Sequence, residues 1–337
     1  MNLKRVISYL LAMTILLLIL PSCVQKEIPK EKEPTPKEET LPEETKRPPL
    51  PKQLQAQEGV EPKLKVYMHN TGKIEEMGFE DYVKGVVAGE IKNDWPAEAI
   101  KAQAIIARTF VLDFISTKGH SKHSSDAHIS TDIEEAQAWN KDEINDTINK
   151  VVDETRGQVL TYDGKFTKTW FHSNAGGITA DSKEGLNYKE ENPPYIVSVK
   201  SPDTGEEVPA DERVWVASFP KAKVIEALNK MGSGIKDFKG VTIGKKGASG
   251  RVVTLKFDDV EVSAPDFRVA LDSKVMKSTL LDSVKYSDES LNIKGRGYGH
   301  GVGMSQWGAY FMAKEGKSAE EILTHYFKGI KITNMWE

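Results

Sequence analysis

Two helical patterns separated by a single proline limit the fold of this chain more than any other feature. Phe79, Tyr82, Val83, Val86, Val87 and Ile91 recur three and four residues apart, the stripe of a helix facing a core. Trp95 and Pro96 interrupt it, and proline suits the first turn of a new helix. AEAIKAQAIIARTFVLDFI then continues as a second helix whose alanines let a neighbour approach closely. Glu90 falls on the apolar face of the first helix, while Glu80, Asp81 and Lys84 suit a solvated face. A carboxyl on an apolar face loses water, which disfavours its charged form and makes it a candidate acid near neutral pH. On periodicity alone, the plainer reading is a glutamate paired with an arginine or placed at a frayed helix end.

The segments before this pair restrict where folding occurs. MNLKRVISYLLAMTILLLILPSC has two early cations and an apolar run from Val6 to Leu20, as a secretory signal does. The run is short for a transmembrane span. Its ending, LPSC, resembles a bacterial lipoprotein signal, which would make Cys23 a lipidation site. Cys23 is the only cysteine, so the chain has no disulfide. The Pro-, Glu- and Lys-rich stretch that follows buries too little apolar surface to fold and reads as an extended tether. The expected organisation is an anchor over 1–23, a tether over 24–60 and a folded domain over 61–337, working outside the cytoplasmic membrane. With a formal net charge of −4 and mixed Lys and Glu, nothing is basic enough to suggest nucleic acid.

Within the folded part, LKVYMHNTGKIEEM reads as a hairpin around Asn70, Thr71 and Gly72. Residues 117–140 read as a polar loop with three histidines. KDEINDTINKVVDETRG predicts a third helix ending at Gly157, and QVLTYDGKFTKTWF a hairpin across Asp163 and Gly164. Residues 212–232 read as helical, and RVVTLKFDDVEVSAPDF as a strand pair. LNIKGRGYGHGVGMSQWGA reads as a strand entering a glycine-rich loop and a helix, and Ser318 with Glu321 forms a capping box for AEEILTHYF. Helices and hairpins mix irregularly, so the predicted class is α+β.

Three segments, in order, carry a family resemblance: EDYVKGVVAGEIKNDWPAEAIKAQAIIARTF, then FHSNAGGITADS with PPYIVSVKSPD, then GRGYGHGVGMSQWGAYFMAKEGKSAEEILTHYFKGIKI. They resemble the stage II sporulation protein D family, also called the amidase-enhancer family. The resemblance implies a peptidoglycan lytic transglycosylase. Such an enzyme cuts the β-1,4 bond between N-acetylmuramic acid and N-acetylglucosamine, on glycan whose peptide stems have been removed. It implies Glu90, in the Gly89-Glu90 pair, as the catalytic acid, and a cell-wall amidase and a membrane scaffold protein as partners. One carboxyl suffices for such an enzyme, whereas hydrolytic glycosidases usually need two. The alternative is a non-catalytic glycan-binding module that stimulates an amidase. A third reading, a zinc amidase, would need the histidines as ligands.

Arg108, 18 residues after Glu90, matches a family arginine and is expected to hold a carboxylate or acetamido group of the sugar, or to make a structural ion pair. A close Arg108 would lower the Glu90 pKa against the effect of burial. His300, Ser305 and Gln306 offer hydrogen bonds to substrate, and Tyr298 and Trp307 offer flat faces that also suit core anchors. Ser173, Asn174, Gly176 and Gly177 would line the opposite wall or form a plain turn. The glycine spacing matches no phosphate loop or dinucleotide fingerprint, and no nucleophile elbow supports a Ser-His triad. Some family members hold zinc through one histidine and two cysteines. His123 matches that histidine, but the cysteine positions fall near Ser130 and Ala136, so the thiolate site cannot exist. His120, His123 and His128 fit no standard zinc spacing and read as solvated loop residues. No cofactor or metal is expected.

Overall fold

The computed structural model describes residues 47–337, Gln55 excepted. The signal, the lipidation site at Cys23 and the tether up to residue 46 lie outside the described residues. The remainder of the predicted tether, residues 47–60, is part of the folded unit. A 3-10 turn at Lys52–Leu54 inserts Leu54, 7% exposed, into the core, and Gly59 bridges to Trp336. Leu50 and Leu54 supply the apolar surface that the acidic, proline-rich stretch before them lacks.

The elements follow in chain order. β1 (Lys63–Met68) and β2 (Lys73–Gly78) form the predicted hairpin, with Met68 opposite Lys73. α1 (Phe79–Glu90) and α2 (Ala97–Lys118) are the helical pair, and the short β3 (Ile129–Ser130) pairs parallel to β1. α3 (Asp146–Glu154), capped by Asn145, leads through Gly157 into β4 (Gln158–Tyr162) and β5 (Lys165–Phe166). β6 (Phe171–His172) and α4 (Ser182–Leu186) flank the small-residue loop. Next come α5 (Ala210–Arg213), β7 (Trp215–Pro220), α6 (Lys221–Lys230), β8 (Val241–Ile243), β9 (Thr254–Phe257), β10 (Val260–Ser263) and α7 (Ala264–Asp272). The last elements are β11 (Leu281–Ser287), β12 (Ser290–Gly295), β13 (Met304–Ser305), α8 (Gln306–Lys314), α9 (Ala319–Tyr326) and β14 (Lys331–Asn334). The class is α+β, as predicted, and the capping box of Ser318 and Glu321 is formed at the start of α9. One correction concerns residues 212–232: Trp215, Ala217 and Phe219 turn inward while Val216 and Ser218 turn out, so Trp215–Pro220 is a strand, paired with β12, and the helix covers only Lys221–Lys230 of the later part.

α2 explains how the site is assembled. Its Ile100, Ala104, Ala107 and Val111 join the core shared with α1, α3 and the first hairpin. Its Ala99, Ala102, Ile105 and Ile106 join a second core with α8 and α9. A helix apolar on nearly all sides belongs at the centre of a fold, and α2 therefore holds α1 on one flank and the glycine-rich C-terminal segment on the other. A third apolar cluster, built from β7–β12, α6 and α7, is packed around Phe238, Phe257 and Phe267.

Candidate active site

Glu90 is the last residue of α1, half-buried, as its stripe position predicts. Loss of water pushes its carboxyl up to about 7, against the opposing effect of the Ala138 amide, which donates to Oε1 at 2.6 Å. Oε2 has no hydrogen-bond partner among the described residues, and Glu90 makes no ion pair there. Gly89 is why Ala138 can come so close: a Cβ on it would lie 2.8 Å from the Ala138 carbonyl carbon and the Trp139 nitrogen. Gly85, one turn earlier, is covered by the Trp139 indole, and the Asn140 amide donates to its carbonyl at 2.9 Å. The two glycines thus form a smooth track along which residues 138–140 lie against the helix.

The C-terminal segment reaches the same place from the other side. Gln306, at the start of α8, donates to the Glu90 carbonyl at 2.8 Å. Trp307 follows, packed against Trp95 at 4.6 Å between ring centroids, with Tyr310 4.9 Å from Trp95 and Lys92 above the Trp307 ring at 5.4 Å. Trp95 and Tyr310 are half-exposed, whereas Trp307 is a core anchor at 5% exposure. Behind this face, Asp203 organises the small-residue loop. Its buried carboxylate accepts from the Ala175 and Gly177 amides, each at 2.7 Å, from Ser201 at 2.8 Å and from Ser305 at 2.6 Å. β6 pairs parallel to β13, and the Trp307 amide donates to the Ser173 carbonyl at 3.0 Å.

These contacts sort the predicted residues. Gln306 meets the Glu90 backbone directly. Ser173, half-buried, donates to Glu212 at 2.6 Å, while Gly176 and Gly177, also half-buried, keep positive φ of 69° and 98°. His300 accepts from the Val302 amide at 3.0 Å, and desolvation with the Arg268 and Arg251 charges drives its pKa down to about 3, so the ring is neutral. Two residues expected at the substrate are instead internal. Asn174, 1% exposed, spans Asp203 and the Gly176 amide, and Ser305, 0% exposed, caps α8.

Arg108 requires the larger correction. It has no exposed surface, and its guanidinium grips Glu80 at 2.6 and 2.9 Å and the Gln158 carbonyl at 2.9 Å. Glu80, expected in solvent, is 2% exposed and also accepts from the Gly157 amide and the Trp336 indole. Of the two roles expected of Arg108, the structural ion pair is the one formed, and among the described residues no arginine offsets the desolvation of Glu90. The three loop histidines are not gathered: His120 meets the Ser121 carbonyl, His128 the Lys65 amide and His123 Asp132. Ser130 and Ala136 supply no thiolate, so the family's cysteine-based zinc site does not fit this chain.

Sequence reasoning passed over Asp203, Gln103 and the Ala138–Trp139 backbone. Gln103, fully buried, lies 3.4 Å from the Gln306 amide. The small residues Gly85 and Gly89 were the available signal for the close backbone, since glycine inside a helix calls for a packing reason.

A family model described as Stage II sporulation protein matches residues 67–162, which include Glu90, Gly89 and the Ala138 loop. An uncharacterised protein of Brachyspira hyodysenteriae is 34% identical over 262 residues, covering 77% of this chain and 68% of that relative. Stage II sporulation protein D of Bacillus subtilis is 28% identical over 289 residues, covering 80% of this chain and 78% of its own. The amidase enhancer of the same species is 28% identical over 298 residues, covering 75% of this chain and 40% of its own.

Proposed function

This chain belongs to the stage II sporulation protein D family, and from that premise we propose that it is a peptidoglycan lytic transglycosylase with Glu90 as its acid and base. The observation that carries the reading is a half-buried carboxyl, without an ion-pair partner among the described residues, whose pKa is pushed up to about 7. A general acid works best with a pKa near the operating pH. The Ala138 amide fixes Oε1 and leaves Oε2 to carry the proton. That proton passes to the glycosidic oxygen as the bond from the anomeric carbon breaks. The carboxylate then takes the proton of the sugar's 6-hydroxyl as this oxygen closes on the anomeric carbon. The products are a free 4-hydroxyl and a 1,6-anhydro end, and no water is consumed.

Trp95 and Tyr310, half-exposed and next to the Gln306 contact, supply flat apolar faces for sugar rings. Ser173, Gly176, Gly177 and His300 form the opposite wall of the proposed groove. The substrate is denuded glycan, met outside the cytoplasmic membrane in sporulation or wall remodelling. Lipidation at Cys23 would provide the anchor, and an amidase and a membrane scaffold the partners.

The test incubates the full chain and its Glu90→Gln variant with peptide-free glycan strands and identifies new ends by mass spectrometry. Anhydro ends that fall at least 100-fold in the variant support the reading. Ordinary reducing ends would make water the nucleophile and require a second carboxylate. The relative named amidase enhancer favours one competing reading, a module that binds glycan and stimulates an amidase. Glycan binding and amidase stimulation without cleavage, unchanged in Glu90→Gln, would support that instead.

A further inference from the structure

β1 and β3 run parallel with Val66 opposite Ile129 and Tyr67 opposite Ser130. Extending that register two residues sets His69 beside Asp132, where both strands leave the sheet. The His69 amide donates to Thr131 Oγ1 at 2.9 Å and the Thr131 amide to the Tyr67 carbonyl at 3.0 Å, which pins the two exits together. His123 closes the group from the loop after α2. Its ring stacks on Tyr67 at 4.8 Å and 8°, lies 5.6 Å from the His69 ring, and brings Nε2 to 2.9 Å from Asp132 Oδ2. One donor atom from each of His69, His123 and Asp132 lies within 4.8 Å of the others.

We propose that His69, His123 and Asp132 bind a divalent transition metal of the zinc class, and that the ion braces the loop that holds Glu90. Zinc bonds of about 2.0–2.1 Å place tetrahedral donors roughly 3.4 Å apart, so about an ångström of side-chain closure completes the site. Two imidazoles and one carboxylate suit zinc better than calcium or magnesium, which prefer oxygen alone. The carboxylate is already oriented: Asp132 Oδ1 accepts from the Glu134 amide at 2.9 Å. Lys122 Nζ, 2.9 Å from Oδ2 on a half-exposed side chain, occupies the cation's place and swings out when the ion enters. The donor set shares only His123 with the thiolate pattern that this chain lacks, and recruits its second imidazole from the β1–β2 turn. With three protein ligands the fourth position stays open toward a cleft of about 490 Å³, lined in part by His69, Asp132, Ala138 and Trp139. The Asp132 carbonyl accepts from the Ala136 amide at 2.9 Å, two residues before the amide that holds Glu90. Fixing Asp132 therefore fixes the turn that delivers Ala138. Metal binding stands without the transglycosylase reading, and only the importance of the bracing to catalysis rests on it.

The test titrates the metal-stripped full chain with zinc by calorimetry, with magnesium as a comparison and glycan absent. One zinc per chain at micromolar or tighter affinity is expected, weakened at least tenfold in His69→Ala and in Asp132→Asn. His69 is exposed, so its variant should keep the parental circular dichroism and remain a valid comparison if Asp132→Asn misfolds. Zinc should also slow amide exchange over residues 132–139 several-fold in the parent and not in His69→Ala. No stoichiometric zinc, or equal affinity in His69→Ala, overturns the site. Stoichiometric binding with unchanged exchange over 132–139 overturns the bracing.

Discussion

Glu90 and Arg108 are both acids or bases placed out of water, with opposite results. Among the described residues Glu90 has one amide donor and no ion-pair partner, and its pKa of about 7 lies above the ordinary 4.5. Between those values the native state keeps a proton that the unfolded chain releases. The associated stability is full below about pH 4.5 and is lost as pH rises through about 7. Glu90→Gln should therefore match the parent near pH 4 and exceed it near pH 8 by up to about 3 kcal/mol, in urea unfolding at each pH. A constant difference at both pH values would mean that the carboxyl holds no such proton. Under the proposed mechanism the same titration sets the rate: cleavage should fall as pH rises above about 7, where the Glu90 proton is lost. Arg108 instead shares its charge with Glu80 in full burial. Removing one partner strands the other, so Arg108→Met should cost about 3–5 kcal/mol in unfolding free energy, with Arg108→Met/Glu80→Leu recovering part of it. Weaker glycan binding without loss of stability would restore Arg108 as a sugar contact.

At the scale of elements, the contact between α1 and the loop over 132–140 holds the Glu90 carboxyl in place. Gly89→Ala puts a methyl into the Ala138 and Trp139 backbone, which cannot yield as a side-chain tip does. The expected result is an intact fold with cleavage lowered at least tenfold and faster exchange of the Ala138 amide; parental activity would show that the loop contact is dispensable. This contact also marks what could be read in the sequence. α1, α2, the first hairpin, the Asp163-Gly164 turn and the α9 capping box depend on residues a few positions apart, and local pattern found them. The strand at Trp215–Pro220 was hidden between two short helices, where six residues of alternation are too few to stand out. Ser305 and Asn174 looked like ligand groups because their partner, Asp203, is distant in sequence from Ser305 and shows no pattern of its own. Arg108 was left between a sugar contact and an ion pair for the same reason: its acid, Glu80, lies on α1, on the face that periodicity assigned to solvent.

For the whole molecule, folding begins earlier in the chain than composition suggests. Leu54 lies in the core, although the stretch before it reads as tether. Leu54→Ala should lower unfolding free energy by about 2 kcal/mol, the low end for a leucine at a core margin; a change below about 0.5 kcal/mol would show that the segment does not contribute. The same core is closed from far away. The Trp336 indole donates to Glu80 at 2.8 Å across 256 residues of sequence. Ribosomes add about 5–20 residues each second, so the first helix waits on the order of 10–50 s for that partner. During that interval the Glu80 carboxylate lacks one of its donors. For a chain that resembles an exported one, this delay is useful, because an unfinished core keeps the polypeptide threadable until it has left the compartment where it was made.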